Sequence, residues 1–162
     1  MTRYLTVSEL IYINGKVLQD DKILSGKQQI REIERLEAAA ARPSASAFGA
    51  DAYPSLHEKV AVLFHSIARN HPFRDGNKRT ATVALLFMVE VNGETVTWEP
   101  EAALEVILDV AEGRQDYPFL RDWLPAATGS KGILDPDTDR DAQLIDHLLE
   151  THKWLLNELA ER

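Results

Sequence analysis

No cysteine occurs among the 162 residues. Disulfide staples and thiolate metal sites are therefore excluded, and the fold must be held by its core. No apolar run approaches the roughly 18 residues of a membrane span. The N-terminus lacks the basic, apolar, then small-residue order of a secretory signal. A cytoplasmic protein without membrane attachment is the expectation. Positive charge is also short, with 18 Lys and Arg against 26 Asp and Glu and a net charge of −8. That balance argues against direct nucleic-acid binding. The strings G-x-G-x-x-G, H-R-D and D-F-G are absent, which excludes an ordinary protein kinase. There is no internal repeat and no low-complexity tract.

What is present is enough apolar sequence, 44% of the chain, to bury one proper core. Against the acidic background one stretch is basic and irregular: His71-Pro72-Phe73-Arg74-Asp75-Gly76-Asn77-Lys78-Arg79. It separates two helical patterns, over 55–70 and 77–91. Pro72 and Gly76 break regularity on either side of Asp75. The stretch reads as a tight loop delivering its last residues into a helix N-terminus, where unpaired N–H groups and the helix dipole favour an anion. Lys78 and Arg79 sit in that first turn, where cations oppose the dipole by about 0.3–1 kcal/mol each. An anionic ligand, such as a polyphosphate, reverses the sign of that cost. His71 supplies a group that takes a proton near neutral pH. Asp75 supplies a carboxylate suited to a hard cation such as Mg²⁺.

Along the chain, Thr6 and Glu9 make a capping-box pattern for a first helix to Leu18, weakened by Asn14-Gly15. Residues 20–26 read as a loop and 27–41 as a second helix, ended by Pro43. Residues 42–54 are a loop by composition, with Phe48 and Tyr53 embedded. Ser55 and Glu58 form a second capping box. His57 and His65 read as satisfied helix histidines rather than ligands, because no metal-spaced partner accompanies them. Residues 94–98 alternate as a short strand or extended turn. A helix from Pro100 stops at Gly113, and a short one follows from Asp116. Residues 126–137 read as a linker. One last helix spans about 138–160, with Leu144, Leu148, Leu155 and Leu159 in its stripe.

The stretch 71–79 resembles the signature of the Fic/Doc family, roughly H-x-F-x-D/N-A/G-N-K-R in its Doc (death-on-curing) branch, and every fixed position is met. Tyr53-Pro54-Ser55-Leu56, Ile67-Ala68-Arg69-Asn70 and Asn92-Gly93 also stand where Doc proteins carry similar residues. The likeness covers about residues 3–124. It implies an all-α bundle with the active-site loop between two central helices. It also implies His71 as the general base toward a target hydroxyl, Asp75 as the Mg²⁺ ligand, and Gly76, Asn77, Lys78 and Arg79 as phosphate binders. Phe73 is left as a buried anchor, and Arg74 has no assigned role. Residues 42–54 match a flap that lines the site, although a plain surface connection is the alternative.

Lys78 bears on the reaction. AMP-transferring Fic proteins usually carry Gly there, whereas in the Doc branch the departure goes with transfer of the ATP γ-phosphate. The resemblance thus implies a toxin kinase acting on elongation factor Tu and restrained by a Phd-type antitoxin. AMP transfer, or an inhibited Fic-fold binding protein, are the alternatives.

The expected organisation is a Fic/Doc domain over 1–125, a linker over 126–137 and an extra amphipathic helix over 138–162. From residue 130 onward eight acids face four bases. This tail resembles the C-terminal helix of a Phd antitoxin, and a packing or dimerisation helix reads the same residues equally well. Its acidity leads to the expectation that it docks near the basic loop.

Overall fold

The computed structural model describes residues 1–19, 29–129 and 131–162. The loop expected over 20–26 and the first residues of the expected second helix, 27 and 28, lie outside the described residues. The architecture is all-α, with two small strand pairs among the described residues.

Helix α1 (Val7–Leu18) opens on the expected capping box: Thr6 accepts from Glu9 N–H, and the Glu9 carboxylate accepts from Thr6 N–H. It runs unbroken through Asn14 and Gly15, both buried, so packing overrides their low propensity. Helix α2 (Ile33–Ala41) passes into a 3₁₀ turn (Arg42–Ser44) and a hairpin of β1 (Ser46–Ala47) and β2 (Ala50–Asp51). Phe48 and Gly49 turn the hairpin with φ of 53° and 80°, the two positive values that a tight two-residue hairpin turn needs.

Helices α3 (Leu56–Asn70) and α4 (Asn77–Val91) form the centre. Only Lys78, Arg79 and Glu90 of α4 escape burial. A helix apolar almost all round must be enclosed, and α1, α3, α5, α7 and α8 together with β3 enclose it. At the start of α3 the expected capping box is only half made. Ser55 accepts from Glu58 N–H, but the Glu58 carboxylate bonds Arg121 at 2.6 Å, a stronger, charged partner.

Strand β3 (Glu94–Val96) precedes α5 (Pro100–Ala111) and α6 (Tyr117–Trp123). The segment read as a linker begins instead with strand β4 (Ala126–Thr128), paired antiparallel to β3. Short apolar residues and glycine conceal such a pairing in sequence, because the partner lies some thirty residues away. The terminal helix is two helices, α7 (Thr138–Thr151) and α8 (Lys153–Ala160), broken at His152. The break lets both faces reach the body. Ile145, Leu148, Leu155, Leu156 and Leu159 are buried, while Leu144 is half-buried. Each fully buried aliphatic side chain contributes about 1.5–3 kcal/mol.

Among the described residues no acid of this tail makes an ion pair with the loop 71–79, although Asp146 and Glu150 line a cavity with Arg79. Asp141 pairs with Arg3 at 2.7 Å and Asp146 with Lys16 at 2.8 Å. Docking is therefore set by apolar burial and by ion pairs to the N-terminal segment.

Candidate active site

Helix α3 ends at His71, whose backbone is left-handed (φ 50°) and whose N–H bonds the Ile67 carbonyl. That reversal turns the exposed imidazole out of the helix and sends Pro72 and Phe73 inward, Phe73 being fully buried. The loop is then fixed from two sides. Pro72 O accepts from Arg31 N–H at 2.8 Å, and Arg74 N–H donates to Gln29 O at 2.9 Å, which makes an antiparallel bridge between Ile30 and Phe73. From the other side the Asn77 side chain grips Phe73, accepting from its N–H and donating to its carbonyl, both at 3.0 Å.

The Asn77 side-chain donor expected for a ligand is thus committed to the loop itself, and only its backbone N–H remains for an anion. Asp75 Oδ1 accepts from Gly76 N–H at 2.8 Å. Gly76 caps α4 with φ 72°, and a Cβ there would stand 3.1 Å from Leu18 Cδ2 and 3.5 Å from Asn14 Nδ2. Glycine is required both by the backbone and by the close approach of α1.

Beneath the loop lies a buried polar network that the sequence reading missed. Asn14 donates from Nδ2 to Asp75 O at 2.9 Å and to Thr80 Oγ1 at 3.0 Å. Gln29 donates to Asn14 Oδ1 and to Ile11 O, both at 3.0 Å. An Asn-Gly pair inside an amphipathic helix is the one sequence sign of it, and it reads first as a helix weakness.

Above the loop is a cavity of about 230 Å³. Around it the structure brings together His71, Asp75, Gly76 and the first turn of α4, with Lys78 and Arg79. That turn holds no acidic residue and its cap makes no side-chain bond. Arg79 is steadied by Val17 O at 3.3 Å and lies 4.0 Å from Asp75 Oδ1. Burial, with the Arg31, Lys78, Arg35 and Arg69 cations, holds the His71 imidazole below the ordinary histidine value. It is neutral near pH 7 and able to accept a proton. The end of α8 forms the far wall: Leu159, Ala160 and Arg162 line the cavity, and Lys78 Nζ donates to Arg162 O at 3.1 Å.

Among the described residues Asp75 is the one Asp or Glu at this cavity, with its side chain largely exposed. Among the described residues no group of three or more His, Asp or Glu could hold a metal by itself. A lone carboxylate beside a phosphate-sized basic pocket fits Mg²⁺ in its usual mode, bound by one or two carboxylates and by substrate phosphates.

His57 and His65 are satisfied as expected, His57 by Glu94 at 2.8 Å and His65 by Arg42 and Asp116. No helix among the described residues is long and apolar enough to cross a membrane.

Comparison with known proteins agrees with this geometry. The model of the Fic/DOC family matches residues 4–89, from before α1 to near the end of α4. The Toxin Doc of Mycolicibacterium smegmatis is 48% identical over 68 residues, 42% of this chain and 52% of that protein. The match thus spans about half the length of this curated relative. With the signature loop, α3, nearly all of α4 and more than half of its length inside the family match, the chain belongs to the Fic/DOC family.

Proposed function

We propose that the chain is a Doc-type toxin that transfers the γ-phosphate of ATP to a hydroxyl of a protein, with translation elongation factor Tu as the target. The observation that carries this reading is His71 at the end of α3 beside Lys78 and Arg79 at the start of α4, around one cavity. The similar mycobacterial protein, named a Toxin Doc, supports it.

The neutral His71 imidazole takes the proton of the target hydroxyl. The freed oxygen attacks the γ-phosphorus, the bond to the bridging oxygen breaks, and that oxygen leaves with ADP. Arg79 and the N–H groups at the start of α4 hold the phosphate oxygens, and their positive field favours the charge that spreads over them. Mg²⁺, when bound, would be held by Asp75 and would neutralise charge shared between adjacent phosphates. Lys78 adds a cation where AMP-transferring relatives leave space. This favours presenting the terminal phosphate over AMP transfer, which stands as the alternative.

A second reading has its own observation. The contact of Lys78 with Arg162 O and the wall formed by Leu159 support a tail that restrains the site in the manner of an antitoxin helix. A Phd-type antitoxin is then either an additional partner or replaced by α7 and α8. Incubating elongation factor Tu with the protein and Mg-ATP, followed by intact mass spectrometry, tests the reaction. One added phosphate supports the first reading, added AMP supports the alternative, and no change supports a restrained or inactive form.

A further inference from the structure

A second basic cavity, of about 560 Å³, lies between the end of α3, the 3₁₀ turn and the α5–α6 connection. The signature loop takes no part in it. Its centre is Arg42. The guanidinium donates from Nε to Tyr53 Oη at 3.2 Å and from Nη1 to His65 Nδ1 and Ser66 Oγ, both at 3.0 Å. It also lies over the rings of Tyr53 and Tyr117, 5.5 and 5.4 Å from their centroids, an arrangement that immobilises it. All these partners are neutral. Burial and Arg42 hold the His65 imidazole below its ordinary value. Nδ1 therefore accepts from Arg42, and Nε2–H faces Asp116 Oδ1 at 3.3 Å.

Across the cavity stands Arg69. Its guanidinium occupies the space over Gly113, where a Cβ would come within 1.9 Å of Nη1. Among the described residues neither Arg42 nor Arg69 has a carboxylate at ion-pair distance. Three of the other arginines behave differently. Arg3, Arg114 and Arg121 each hold two carboxylates, and Arg114, on the rim of this cavity, is neutralised by Asp109 and Glu112. Among the described residues Asp116 is the one acid lining the cavity, and it is shared with His65 and the Tyr117 N–H. Arg42 keeps Nη2 for a ligand, since Nε and Nη1 are committed to Tyr53, His65 and Ser66. Together with the exposed Arg69 guanidinium across the cavity it offers an oxyanion two cations that, among the described residues, have no counter-charge.

We propose that this cavity is an oxyanion subsite that takes an acidic side chain of a protein segment. A free phosphate is the other source of the same chemistry. The cavity is much larger than one anion needs, and it opens beside Arg69, two residues before His71. An acid anchored there sits on the same helix end as the candidate base. The subsite would thus select protein segments with an acid near the modified hydroxyl, and in this respect it rests on the proposed transfer reaction.

The test needs no nucleotide and no turnover. The full chain, labelled with ¹⁵N, is titrated at low salt with a synthetic Glu-Ser-Glu peptide and separately with inorganic phosphate. The expected result is peptide-induced shifts at the Arg42 and Arg69 Nε–H groups and at the Gln115 and Tyr117 amides. Binding should be at least tenfold weaker in R69Q, whose exposed side chain can change without loss of fold. Phosphate binding as tight as the peptide would assign the cavity to free anions and overturn the proposal. Absence of shifts with both probes, or unchanged binding by R69Q, would overturn it as well. Peptide binding by a chain that transfers nothing would leave the subsite standing and remove the reaction.

Discussion

The Asn14 side chain holds the Asp75 carbonyl at 2.9 Å, joining the first helix to the candidate metal ligand across sixty-one residues of sequence. The same amide nitrogen reaches Thr80 inside α4. One buried side chain thus fixes both the loop and the helix that receives it. Asn14→Leu should take from the Asp75 carbonyl and Thr80 Oγ1 their Asn14 donor and from Gln29 one of its two acceptors, at about 1–3 kcal/mol for each buried group left unsatisfied. Thermal unfolding should show a lowered midpoint, and nucleotide titration should show weakened binding. An unchanged affinity in a destabilised variant would mean that Asn14 serves stability alone.

His71→Asn should abolish transfer while keeping the fold. The imidazole is exposed, and asparagine tolerates the left-handed backbone at φ 50° better than alanine does. Circular dichroism and a transfer assay read the two effects separately. The pH profile gives a sharper check. In the proposed reaction the neutral form is the base, and the folded pKa of His71 lies below the ordinary histidine value. Activity should therefore persist at pH 6.5 and fall only as pH drops further through the lowered pKa. Half-loss above pH 6.5 would argue against His71 as the base.

How much of this was legible in sequence depends on distance along the chain. The loop 71–79 announced itself because proline, glycine and misplaced cations lie within nine residues. The caps at Thr6, Asp116 and Gly113 are likewise local. Asn14 was misread because its partners, Gln29, Asp75 and Thr80, are gathered only by the fold. The same holds for β4, whose partner is β3, and for Asp141 and Asp146, whose cations are Arg3 and Lys16. Net charge suggested that the tail docks near the basic loop, and the end of α8 does line that cavity, but it is seated by buried leucines of α7 and α8 rather than by ion pairs to the loop. At the break the Trp98 indole N–H donates to His152 Nδ1 at 3.3 Å, and no local helix breaker marks it.

The tail should loosen in acid. Burial holds the His152 imidazole below its ordinary value, so the folded state favours the neutral ring that accepts from Trp98. The unfolded chain binds that proton more readily, so stability is full above about pH 6.5 and is lost as pH falls toward the lowered pKa. Asp141 adds to the loss at lower pH. Burial raises its pKa, but Arg3 and the Asp137 N–H outweigh that, leaving it below the usual carboxylate range. Its contribution is present above the ordinary value and disappears as pH falls through the lowered one. Tryptophan fluorescence against pH should change in the histidine range in the native chain and not in His152→Gln. The same transition in both would place its cause elsewhere.

Asp141→Asn should cost about 1.5–3 kcal/mol, the range for a hydrogen bond to a charged group, because Arg3 stays buried while Glu9 still pairs with it at 2.7 Å. Denaturant unfolding measures the loss. If the tail restrains the site, the variant should also inhibit growth more strongly than the native chain. Equal growth inhibition would leave the tail a packing element only.

Lys78→Gly should reduce phosphate transfer and open the backbone anion pocket, shifting product toward AMP transfer. The variant also loses the bond to Arg162 O, so product identity, read by mass, is the informative quantity rather than rate. Unaltered phosphorylation would mean that Lys78 does not select the reaction.

Intact mass spectrometry of elongation factor Tu, after incubation with the protein and Mg-ATP, tests phosphate transfer most directly, with His71→Asn as the control. The account predicts a gain of one phosphate with the native protein and none with the variant. A gain of AMP, or an unmodified target under conditions where the protein is folded and binds nucleotide, would contradict it.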